Sequence, residues 1–145
     1  VLGFVSMPYR GAYNASKYAM EGLSDTLRLE LKGTDIYVSL IEPGPIASQF
    51  RMNAVKALEK YVDVENSVHR EKYQGVLTRL NKPGPAVPFT LPPEAVLKRV
   101  ILALESDKPQ PRYYVTFPTY LFGFLKRILS TRVLDAILAK SGNSH

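Results

Sequence analysis

No cysteine occurs among the 145 residues. Disulfides and thiolate metal sites are therefore excluded, and the composition fits a reducing compartment, with the cytoplasm as the expected location. No run of eighteen apolar residues is present, so no membrane-spanning helix is expected. The opening residues carry no signal-peptide pattern, but the chain begins with Val rather than Met. A fragment is therefore expected, and the silence of that end about targeting carries little weight. Histidine is scarce, and His69 sits among Glu65, Arg70, Glu71 and Lys72 with no second ligand group at a metal-like spacing. It reads as a solvated surface residue, and no metal site is expected. The basic residues form no dense stripe and accompany no recognition motif, which argues against nucleic acid. At 46% apolar and 22% charged residues, disorder by composition is not supported either.

What the chain does have is concentrated between Gly11 and Ser48. Residues four apart on a helix lie one turn above each other, so Tyr13 and Lys17 present a phenol and an ammonium to one spot. A cation held beside a phenol favours its ionised form, which suits proton exchange with an alcohol oxygen near neutral pH. Chance alone would give about 0.6 such pairs in a chain with 9 Tyr and 10 Lys, so the spacing by itself is a weak signal. Context strengthens it. The Tyr opens a helical pattern of about five turns, and an apolar strand pattern follows over 36–41. That strand runs into Pro43-Gly44, where a ligand-facing turn belongs in an open α/β sheet.

These residues resemble the short-chain dehydrogenase/reductase family. The likeness rests on Tyr13-Asn14-Ala15-Ser16-Lys17, on its continuation from Tyr18 to Leu31, and on Ser39-Leu40-Ile41-Glu42-Pro43-Gly44-Pro45-Ile46-Ala47-Ser48. Within the family the chain looks most like the branch of retinol and hydroxysteroid dehydrogenases and their bacterial relatives. The resemblance implies an α/β fold: the C-terminal half of a doubly wound parallel, Rossmann-type sheet with flanking helices. The domain would be incomplete, since one of this family needs roughly 250 residues. Carried over, Tyr13 is the catalytic acid/base and also touches the cofactor, and Lys17, catalytic with it, eases its ionisation and bonds the nicotinamide ribose. Pro43 and Gly44 shape the turn beside the ring, and Ile46 and Ser48 contact the carboxamide. The implied cofactor is NAD or NADP. The serine that usually lies thirteen residues before the Tyr would fall just before Val1, and Ser6 does not match that position. No G-x-G-x-x-G occurs in the chain.

Four segments follow. Residues 1–48 hold the tail of a strand at Val1–Val5, the helix over about 12–32, the strand 36–41 and the nicotinamide-side turn. Gly33 suits the end of that helix. Its face of Ala15, Ala19, Leu23, Leu27 and Leu31 is either plain core or, as the resemblance implies, the seam of a homodimer. Residues 49–91 read as a substrate lid with helices over 51–61 and 65–80 and an exit loop at Pro83-Gly84-Pro85 and Pro88. Residues 92–117 give a helix from Pro93-Glu94 and a last strand at 112–116, parallel to the first across a helical crossover. Residues 118–145 form an amphipathic tail. Of the net charge of +6, +5 falls in 108–145, beside Tyr120, Leu121, Phe122, Phe124, Leu125, Ile128 and Leu129. Such a helix suits a membrane surface, a gate for an oily substrate, or docking on its own domain or dimer partner.

The expected function is that of an oxidoreductase moving hydride between nicotinamide and a carbonyl/alcohol pair on an apolar aldehyde, ketone, retinoid or steroid. The alternative is a catalytically incompetent fragment that acts at most as an association or membrane-surface module.

Overall fold

The computed structural model describes residues 2–85 and 87–143. Val1 of the expected strand tail, Ala86 of the expected lid and residues 144–145 of the expected tail lie outside the described residues. The order of elements is α1 (Gly11–Glu30), β1 (Leu40–Glu42), α2 (Phe50–Tyr61), α3 (Arg70–Asn81), α4 (Glu94–Glu105), β2 (Arg112–Tyr114), α5 (Phe117–Ile128) and α6 (Thr131–Asn143). The architecture is α/β, a partial Rossmann-type arrangement with the two strands parallel and in register Leu40–Arg112, Ile41–Tyr113 and Glu42–Tyr114.

Side chains alternate across a strand, so Leu40, Glu42, Arg112 and Tyr114 face one side and Ile41 and Tyr113 the other. On the first side Arg112 reaches Glu21 and Asp25 of α1 at 3.0 and 2.9 Å. On the second, Ile41 lines a shallow cavity with Val100, Ala103 and Leu104 of α4. The sheet is thus sandwiched between the helix that carries Tyr13 and the crossover helix.

The first strand is shorter than its apolar pattern, starting at Leu40 rather than Ile36. Pro109 and Pro111 offer no N–H to a ladder, so pairing begins only where the Leu40 N–H meets the Pro111 carbonyl at 2.9 Å. Ahead of it the Ser39 hydroxyl donates to the Gln110 carbonyl at 2.8 Å. The expected strand at the N-terminus is a turn and bend instead, yet Val5 is 1% exposed. Its apolar character serves a small core that Val5 forms with Leu134 and Leu138, flanked by Leu2, Phe4, Phe122, Leu125 and Leu129. The expected single tail is two helices, broken at Leu129-Ser130, with the second docked on the opening residues.

Helix α3 starts at Arg70 rather than residue 65. The Asp63 carboxylate accepts from the backbone and side chain of Asn66, and the Ser67 hydroxyl accepts the His69 N–H, so local side chains compete with the helical ladder there. Helices α2 and α3 pack as a hairpin. Arg51, at the start of α2, fastens it, donating to the carbonyls of Leu80 in the last turn of α3 and of Lys82 and Gly84 just after it.

The solvent-accessible surface is 10323 Å². A compact monomer of 16.2 kDa would show roughly 7,500 Å². The excess is substantially apolar: Met20, Leu23, Leu29, Leu97, Leu104, Phe117, Phe124 and Ile128 are all exposed. The seam residues named from sequence do not form a core within the chain, since Leu23 and Leu27 face solvent.

Candidate active site

Helix α1 has no side-chain N-cap; its first turn is held by Asn14 instead. The Asn14 amide donates to the Met7 carbonyl at 3.0 Å, and the residue is 7% exposed. Tyr9, just upstream, sits at φ 59°, a left-handed conformation that a bulky side chain adopts only at a cost of about 1 kcal/mol or more. Neither feature has a sequence signal beyond the polar residue inside the helical pattern.

From that first turn Tyr13 and Lys17 rise on one face. The Lys17 Nζ lies 5.5 Å from the centre of the Tyr13 ring. Its other neighbour is the Met20 sulfur at 3.9 Å, and among the described residues no carboxylate pairs with it. The Tyr13 ring packs on Phe50, centre to centre 5.9 Å, and remains 39% exposed. Phe50 is the first residue of α2, so this contact brings the phenol beside the segment that leaves the Pro43-Gly44 bend. An exposed phenol and a cation without a carboxylate partner among the described residues, next to that segment, form a donor set that fits the ribose and nicotinamide side of a dinucleotide.

The bend is built tightly. Gly44 has φ 73°, and a Cβ there would overlap the Thr116 hydroxyl and stand 2.5 Å from that of Thr119. Those two hydroxyls, 3.0 Å apart and fully buried, mark the start of α5, so the bend is seated on a helix N-terminus. Downstream, Ile46 bridges to Leu91, with the Ala47 N–H on the Leu91 carbonyl and the Leu91 N–H on the Pro45 carbonyl. The Ser48 hydroxyl accepts the Phe50 N–H at 3.3 Å, which ties the expected carboxamide contact to the start of α2.

Glu42, immediately before the bend, is a polar residue whose burial the sequence pattern did not signal. It is 5% exposed, and among the described residues neither carboxylate oxygen has a hydrogen-bond partner; the Arg112 Nε is 3.5 Å away. Burial, reinforced by the nearby Glu21 carboxylate, pushes its pKa up from 4.5 to about 7. Asp25 is held low instead, by hydrogen bonds from Arg28 and Arg112.

The sign of the linkage follows from these values. Between pH 4.5 and about 7 the folded state keeps a proton on Glu42 that the unfolded chain has lost, so stability falls as pH rises through that window and levels off above it. The full span is on the order of 3 kcal/mol. Glu42→Gln is expected to remove most of that fall. Thermal melts of both proteins at pH 5 and pH 8 check it, and an equal drop in the two would show that Glu42 is not the titrating group.

The family described as short chain dehydrogenase matches residues 1–59, the stretch holding Tyr13, Lys17 and the bend. The chain is 47% identical over 138 residues to the uncharacterized oxidoreductase YbbO of Escherichia coli, covering 95% of this chain and 45% of the relative. It is 33% identical over 140 residues to the probable short-chain type dehydrogenase/reductase VdlC of Helicobacter pylori, covering 94% and 48%. To the NADPH-dependent 3-dehydrocapnine reductase of Ornithobacterium rhinotracheale it is 32% identical over 138 residues, covering 95% and 47%. The chain therefore spans a little under half the length of the curated relatives it matches. With the helix, the bend and the parallel strands arranged as described, these matches identify the chain as a member of the short-chain dehydrogenase/reductase family.

Proposed function

We propose that the protein carrying this chain is an NAD(P)-dependent oxidoreductase that interconverts a carbonyl and an alcohol on an apolar substrate, such as an aldehyde, ketone, retinoid or steroid. The observation that carries the reading is the exposed Tyr13 phenol beside Lys17, on the helix face next to the segment that leaves the Gly44 bend. When bound, nicotinamide supplies or accepts the hydride at carbon. Tyr13 gives the proton to the substrate oxygen, or takes it in the reverse direction. Lys17, with its Nζ 5.5 Å from the Tyr13 ring centre, would hold the ribose. Pro43 and Gly44 keep the backbone bare beside the ring, and Ile46 and Ser48 would hold the carboxamide side. The cofactor is NAD or NADP; the name of the Ornithobacterium relative makes NADPH the first to test. The hairpin of α2 and α3 serves as the substrate cover.

Self-association through the α1 face belongs to the same reading, supported by the exposure of Leu23 at 62% and Leu27 at 39%.

Lys17→Ala tests the ribose role. Removing a charge-assisted hydrogen bond is expected to weaken binding of reduced cofactor by about ten- to hundredfold, with a parallel loss in rate. A titration of the full-length protein followed by nicotinamide fluorescence measures it. Unchanged affinity would remove Lys17 from the cofactor site.

A further inference from the structure

We propose that the outer face of α5, with the turn that follows it, is a docking surface for a bilayer containing anionic phospholipid. Helix α5 carries its apolar residues over a wide arc, interrupted by Thr119, Gly123, Lys126 and Arg127, and an arc that wide calls for cover on more than one side. The chain supplies one cover. Thr119 seats on the Gly44 bend, Gly123 lies against the Tyr114 ring, and Phe122 and Leu125 join the core with Leu134 and Leu138. The other side is left to solvent: Phe117 is 57% exposed, Phe124 60% and Ile128 59%, with Tyr120 and Leu121 between them. Positions 117, 121, 124 and 128 fall on a single helical stripe. Phe89, also exposed, packs against Phe117 at a tilt of 45°, ring centres 5.2 Å apart, and widens it.

Charge selects the occupant. No acidic residue occurs between Asp107 and Asp135, while Lys126, Arg127 and Arg132 lie at the C-terminal end of the stripe and Arg99 reaches Tyr120 from the side at 3.2 Å. Arg127 and Arg132 are exposed, and among the described residues neither pairs with a carboxylate. A second copy docked on this face would offer the same acid-free stretch, with no carboxylate of its own to meet those cations. An anionic bilayer accepts both the apolar stripe and its basic flank. No described helix is long and apolar enough to cross a membrane, so the contact is peripheral. It stands independently of the oxidoreductase reading.

Co-sedimentation of the full-length protein with vesicles tests it, using roughly two parts phosphatidylcholine to one part phosphatidylglycerol against phosphatidylcholine alone. Binding is expected on the anionic vesicles and to weaken with salt. Each basic residue at such a surface is worth roughly fivefold in partitioning, so Arg127→Glu with Arg132→Glu is expected to lower it by at least about 25-fold. Phe124→Ser with Ile128→Ser removes the apolar contribution; far-UV circular dichroism checks that each variant is folded. Wild-type protein that stays in the supernatant, or binds neutral vesicles equally well, overturns the proposal. So does a wild-type dimer that Phe124→Ser with Ile128→Ser converts to monomer, since the face would then belong to a second copy.

Discussion

Tyr13→Phe in the full-length protein is expected to cut turnover by about 10²- to 10⁴-fold while leaving cofactor affinity within about twofold. The structure makes this substitution unusually clean. The phenylalanine ring keeps the packing on Phe50, and the Tyr13 hydroxyl makes no hydrogen bond among the described residues, so the substitution removes the reactive hydroxyl and no internal contact. Folding is therefore expected to be untouched, and a lost rate reports chemistry rather than stability. Steady-state kinetics with a generic aldehyde or ketone, alongside a cofactor titration, separates the two. Turnover equal to that of the parent protein would strip Tyr13 of its role as the proton donor.

Gly44→Ala is expected to destabilise the fold by about 3 kcal/mol. A left-handed backbone costs a residue with a Cβ about 1–2 kcal/mol. Overpacking against buried neighbours adds about 1–3 kcal/mol, because the Thr116 and Thr119 hydroxyls occupy the space the methyl would enter. Gly33 isolates the first contribution, since its φ is 91° and a Cβ there meets nothing within 4 Å. Gly33→Ala should lose only the backbone part. Chemical denaturation of the two variants side by side gives the comparison. Equal losses would mean that the threonine pair yields freely and that the bend is not clamped by α5.

The helix bearing Tyr13 and Lys17 could be read from sequence because its signal is local: spacing four, a long periodic run and a glycine after its end. The crossover from the first strand through α4 to the last is legible for the same reason. The limits of β1 are not, because they depend on which carbonyls and N–H groups Pro109 and Pro111 leave available some seventy residues later. The clamp from Arg112 to Glu21, Asp25 and Glu42 joins positions up to 91 residues apart, and no periodicity announces such a pairing. Glu42 reads as the polar end of a strand; only its place under α1 turns it into a buried acid. The opening stretch reads as a strand because mostly apolar residues satisfy that pattern equally well when, as Leu2, Phe4 and Val5 do, they pack as an irregular segment under a terminal helix.

Arg51 gives the segment over 50–84 a mechanical character that two unlinked helices would lack. Its guanidinium grips three carbonyls across the mouth of the α2 and α3 hairpin, which ties the two helices into one unit. One linked unit has less freedom to lose on closing as the proposed substrate cover than two separate helices, each of which would have to be ordered. Amide hydrogen exchange in the two helices should accordingly rise and fall together.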